Sequence, residues 1–116
     1  MTPEQILSHP AKTLSEDQRQ FYFAQGYLHL PELIRDSELA RLRAATEQMV
    51  DASRALSVSD DQFVLEPDHT PPSPRLRRMN RAVDFHPEYW SYASDSVLPD
   101  VVADLVGPNV KFRESM

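Results

Sequence analysis

Residues 14–31 read LSEDQRQFYFAQGYLHLP, and within eighteen residues they spell helix, stop and strand. Ser15 is a good N-cap, and Gln18 three positions later completes a capping box. Leu14, Gln18, Phe21, Tyr22 and Gln25 then share one helical face. Gly26 can take positive φ where the helix must end, which is the usual role of a glycine just past a C-terminus. Tyr27, Leu28, His29 and Leu30 follow as a short strand, closed by Pro31, which has no N–H for a ladder. Phe21, Tyr22 and Tyr27 are expected in the core.

Working outward, residues 1–13 read as a flexible arm, with one helical turn through Ile6 and Leu7 that Pro10 ends. On the other side, Asp36 caps a helix that runs to about residue 56. Leu39, Leu42, Thr46, Met49, Val50, Ser53 and Leu56 form its apolar stripe. Phe63, Val64 and Leu65 are a short strand, and PDHTPPSP at 67–74 is an extended loop. In the extended stretch that follows, Leu76, Arg78 and Asn80 face one way, and Arg75, Arg77, Met79 and Arg81 the other. Pro87 opens a short helix whose Tyr89, Trp90 and Tyr92 are expected in the core. A second helix spans 97–106, with Ser96 as cap, Pro99 in its first turn, a broad apolar face, and Gly107-Pro108 as its stop. Residues 109–116 alternate as a final strand and end in mid-pattern.

The 116 residues fit one domain, 14–116 beyond the arm, with room for a modest core. The 41% hydrophobic and 26% charged content matches ordinary globular chains. No run approaches the ~18 apolar residues of a membrane span, and the N-terminus lacks the pattern of a secretory signal. A cytoplasmic setting without a membrane is expected. There is no cysteine, which excludes disulfides and thiolate metal sites. The net charge of −6 argues against nucleic acid as partner. Two glycines are too few for the turns of a complete all-β domain.

Chemistry-bearing patterns are sparse. His86-Pro87-Glu88 has the spacing of a His-x-acid metal pair, but it sits at a helix start and no histidine follows it. His69 beside Asp68 reads as a solvated loop histidine, and His29 as a half-buried strand residue. Arg75, Arg77, Arg78 and Arg81 form a basic island; taking its four charges from the net of −6 leaves −10 on the remainder. Such a cluster can fork onto a carboxylate or phosphate, or be a solvated edge balanced by nearby acids.

Taken in order, F-Y-F-A-Q-G-Y-L-H-L-P (21–31), L-I-R-D-S-E-L-A-R-L-R (33–43), R-R-M-N-R-A (77–82), F-H-P-E-Y-W (85–90) and L-V-G-P-N-V-K-F-R-E-S-M (105–116) resemble the N-terminal part of the phytanoyl-CoA dioxygenase family. The resemblance covers about residues 14–116. It implies an α+β segment: helices plus the first strands of a double-stranded β-helix (jelly-roll) oxygenase, with an incomplete barrel. It also implies iron(II) and 2-oxoglutarate as cofactors of the complete enzyme, which hydroxylates a small organic substrate. In the family the His-x-Asp pair, the second His and the 2-oxoglutarate Arg follow the stretch that matches 109–116. No catalytic, metal or cofactor ligand therefore carries over to any residue here, and the chain alone is expected to be inactive. Met79, Asn80, Arg81, Glu114, Ser115 and Met116 match regions bordering the family's pocket and are the expected substrate-side wall. Two other readings stay open. One is a non-catalytic interaction module of the same descent, self-associating through the last strand. The other is an anion binder built on the arginine island.

Overall fold

A computed structural model describes residues 1–116 as six α-helices and one two-stranded antiparallel sheet. The chain divides into two compact units, Met1–Arg35 with Tyr92–Phe112, and Asp36–Ser91 with Arg113–Met116. No helix is long and apolar enough to cross a membrane.

The first unit is built on three helices. α1 (Pro3–Leu7) opens on a capping box: Thr2 Oγ1 accepts from the Gln5 N–H at 3.3 Å, and Gln5 Oε1 accepts from the Thr2 N–H at 2.8 Å. α2 (Glu16–Gln25) repeats the device with Ser15 and Gln18, as its sequence predicts. It stops at Gly26, whose φ of +80° lets its N–H reach the Tyr22 carbonyl. The helix of this unit that follows Ser96 is Leu98–Val106; in chain order it is the sixth, α6. The helix starts one residue later than the sequence predicts: Val97 stands at its N-cap without a side-chain cap bond, and the Ser96 hydroxyl, one residue before it, accepts from the Leu98 N–H at 3.1 Å. Ile6, Leu14, Val101 and Ala103 are the buried apolar side chains of this unit. Residues 1–13 are therefore more than an arm: they carry a capped helix and a core residue.

Four expectations fail here. Residues 27–30 form no strand, because no neighbouring strand offers them a ladder. Tyr27 instead packs edge-on against Phe21, ring centroids 5.3 Å apart, and both rings are exposed rather than core. His29 is exposed as well. Residues 109–112 are likewise extended without a partner strand.

Gly107 ends α6 at φ +106° and ψ 165°, a region open to glycine alone, and a Cβ there would meet Met1 Sδ at 2.5 Å. The thioether can swing aside, but the backbone cannot follow. Gly107→Ala is expected to destabilise this unit by about 1–3 kcal/mol. Thermal unfolding of the variant checks it, and an unchanged midpoint would refute the strain.

The second unit begins with α3 (Asp36–Ala52), which continues as a 3₁₀ turn, Ser53–Ala55. Of the expected stripe, Met49 and Ser53 are buried and Leu39, Leu42, Val50 and Leu56 half-buried; Ala45, outside the stripe, is the most enclosed apolar residue. β1 (Phe63–Leu65) pairs with β2 (Leu76–Met79), with Phe63 opposite Met79, Val64 opposite Arg78 and Leu65 opposite Leu76. Arg77 is thus the extra residue of a β-bulge. The bulge overturns the expected alternation. Leu76 and Met79 are both half-buried, whereas Arg77 and Arg78 are both exposed. The outer edge of β1 is closed by its own loop: Asp60 Oδ1 accepts from Phe63 N–H at 2.7 Å and Ser59 Oγ from Leu65 N–H at 2.9 Å. α4 (Ala82–Phe85) and the start of α5 (Pro87–Asp95) follow, with Pro87 in the first position as expected. The aromatics of α5 are not a core knot: Tyr89 and Tyr92 are half-buried and Trp90 is exposed.

Candidate functional site

Asn80, Arg81 and Ser115 come together in the second unit. The Asn80 N–H donates to the Gln62 carbonyl at 2.8 Å, and its side-chain amide to the Asp61 carbonyl at 3.2 Å. This holds the chain as it leaves β2. Arg81 then takes φ +51° and ψ +47°, a left-handed conformation uncommon for a non-glycine residue. The turn aims its N–H at the Ser115 carbonyl, 2.9 Å away, and Ser115 Oγ accepts from the Val83 N–H at 3.2 Å. The expected final strand is absent from 113–116 too. These two bonds to one residue replace a ladder.

The Arg81 guanidinium lies 5.9 Å from the Phe85 ring centroid and 3.8 Å from the Asp84 carboxylate. Asp60, Asp61, Gln62, Arg81 and Phe85 line a shallow depression there. Met79 is half-buried at the end of β2, while Glu114 and Met116 are exposed. Of the six expected wall residues, the structure bonds Arg81 to Ser115, whereas Asn80 bonds to Gln62 and Asp61.

The basic island is largely neutralised by local acids. Arg75 pairs with Asp68 at 3.3 Å, and Arg77 forks onto Glu66 through Nε at 3.3 Å and Nη2 at 3.1 Å. The Glu66 hydrogen bonds and charge raise the Arg77 pKa above its already high value. These pairs are exposed and describe a solvated edge more than an anion clamp.

Iron(II) and 2-oxoglutarate do not fit the side chains present. His86 Nδ1 accepts from the Glu88 N–H at 3.2 Å, Nε2 meets Gln48 Oε1 at 2.9 Å, and the Glu88 carboxylate pairs with Arg41 at 3.5 Å. The Thr46 and Tyr89 hydroxyls share a 2.8 Å bond alongside. His86-Pro87-Glu88 is thus a helix-start motif that ties α5 to α3. His69 is not merely solvated: Nδ1 accepts from the Arg75 N–H at 2.9 Å, so Nε2–H donates to the Leu56 carbonyl at 3.1 Å. Arg54 adds bonds to the Pro71 and Pro72 carbonyls at 2.8 and 3.1 Å, so the proline-rich loop is pinned. No three His, Asp or Glu side chains group as a metal site. Three arginines of the island are occupied by Asp68, Glu66 and Asp84.

The most enclosed polar pair lies in the first unit and escaped the sequence reading. Arg19 and Asp104 are each 2% exposed. Asp104 Oδ1 accepts from the Lys12 N–H at 2.8 Å, and Oδ2 from Thr13 and Leu14 N–H at 2.9 Å each. Arg19 donates to the carbonyls of Asp104 (3.0 Å), His9 (3.2 Å) and Ile6 (2.7 Å). Burial pushes the Asp104 pKa up, but the N–H groups of Leu14, Lys12 and Thr13 and the Arg19 charge outweigh it, and the net shift is downward. The signal was an acid within the apolar run VVADLV. Arg19, on a helix of mixed polarity, gave none. No family model, curated protein or solved structure matches the chain.

Proposed function

We propose that the chain is the N-terminal segment of an iron(II)- and 2-oxoglutarate-dependent oxygenase of the phytanoyl-CoA dioxygenase family. The complete enzyme would be cytoplasmic and would hydroxylate a small organic substrate, its metal and cosubstrate ligands lying in sequence outside residues 1–116. The observation that carries the reading is the pairing of Arg81 with Ser115. Two motifs of the resemblance, R-R-M-N-R-A and the end of L-V-G-P-N-V-K-F-R-E-S-M, stand far apart in sequence yet meet at the residues assigned to one pocket wall. In this reading Asn80, Arg81 and Ser115 shape that wall and take no part in bond making.

Two measurements test it. Supplied with iron(II), 2-oxoglutarate and oxygen, the 116-residue chain should release no succinate above a protein-free blank. The coding sequence that continues in frame past the Met116 codon should encode a His-x-Asp within a few tens of codons. Turnover by the chain itself, or a reading frame without that motif, would sink the proposal.

A further inference from the structure

Arg19 and Asp104 both turn toward the backbone of residues 6–14. Asp104 takes three successive N–H groups, those of Lys12, Thr13 and Leu14. Arg19 takes the carbonyls of Ile6 and His9 through its two terminal nitrogens, while its Nε holds the Asp104 carbonyl. The pair therefore grips main chain at both ends, acceptors through one side chain and donors through the other.

Little else holds that segment. α1 has five residues, too few for a helix that stands by itself. Ile6 is its one buried side chain. The Lys12–Asp100 ion pair, at 3.2 Å, has both partners about half exposed and contributes little. Apart from the Ile6 and Leu7 side chains and Met1 beside Gly107, the ties pass through the same two charged groups, so the polar ties are made and broken together.

We propose that residues 1–13 are a strap that docks and releases as one unit, with Arg19 and Asp104 as its clasp and Ile6 as its apolar foot. Release leaves the rest of the unit folded and uncovers the charged pair. The strap thus gates access to Arg19 and Asp104.

Native-state amide exchange on the full chain tests this. The Ile6, Ser8 and His9 amides are bonded within the strap's own helix and touch neither clasp residue's side chain as donors. In Asp104→Asn they should nonetheless exchange faster by about tenfold or more, by the same factor as Lys12, Thr13 and Leu14. The Val101 and Gly107 amides of α6 should stay protected. Ile6→Ala keeps both charges and must show the reciprocal effect, accelerating Lys12, Thr13 and Leu14 together with Ser8 and His9. Acceleration confined to residues 12–14 in Asp104→Asn, or an even rise that includes Val101 and Gly107, would overturn the strap. Should Asp104→Asn fail to fold, the Ile6→Ala pattern decides by itself.

Discussion

Asp104→Ala should weaken the docking of residues 1–13 by about 3 kcal/mol, the upper range for losing hydrogen bonds to a charged acceptor, and leave the rest of the helical unit folded. The substitution removes the acceptor of three backbone N–H groups at 2.8–2.9 Å. It also leaves the Arg19 guanidinium, 2% exposed, with only the exposed Glu16 carboxylate at 3.6 Å as counter-charge. Amide exchange at Ser8 and His9 measures the loss, and a decrease below about 1 kcal/mol would show that the carboxylate merely replaces solvent contacts of equal strength. The same residue sets an acid limb. Its folded pKa lies below the ordinary 3.8, so its contribution is complete above that value and disappears as pH falls through the folded pKa. Unfolding midpoints of the wild-type chain should therefore drop more steeply below about pH 4 than those of Asp104→Asn.

Phe63→Ala should weaken the hairpin unit by about 3–5 kcal/mol, the range for emptying a buried aromatic site. Phe63 is 3% exposed and sits opposite Met79 at the end of the sheet where the loop 59–62 folds back. Its own N–H and carbonyl are both bonded to Asp60, so the cavity would open beneath backbone that cannot collapse freely. The Glu66 and Asn80 amides, which bridge the hairpin at 2.9 and 2.8 Å, should exchange faster in the variant. Phe21→Ala serves as the contrast. Phe21 is 42% exposed and contributes an edge-on contact with Tyr27, worth about 0.5–1.5 kcal/mol. A larger loss at Phe21 than at Phe63 would contradict this placement of the core.

That order of effects reverses what the residues alone suggest, since an aromatic-rich helix end looks like core and a three-residue strand does not. Local chemistry was legible wherever it is decided within four residues. Ser15 with Gln18, Gly26 at positive φ, Pro87 and Pro99 in first turns, and Gly107 after α6 are all where the sequence puts them. Each depends on one side chain reaching its own backbone, or on a φ that only one residue type accepts.

What the tertiary structure alone decided is which groups find distant partners. Residues 27–30 and 109–116 have strand composition but no strand, because a ladder needs a second chain segment at the right spacing. The bulge at Arg77 flipped half the expected faces of β2, since one unpaired residue changes the side of everything beyond it. Of the candidate wall, Arg81 and Ser115 meet only because Arg81 turns left-handed, a strain invisible in its side chain. Arg19 reaches across 85 residues to Asp104, and its burial follows from satisfying carbonyls that no periodicity identifies. By itself, then, the sequence determined the helices and their ends, through short-range bonds that need no fold. The folded chain decided the core, the sheet register and the buried charges, because burial and pairing depend on groups that sequence separation hides.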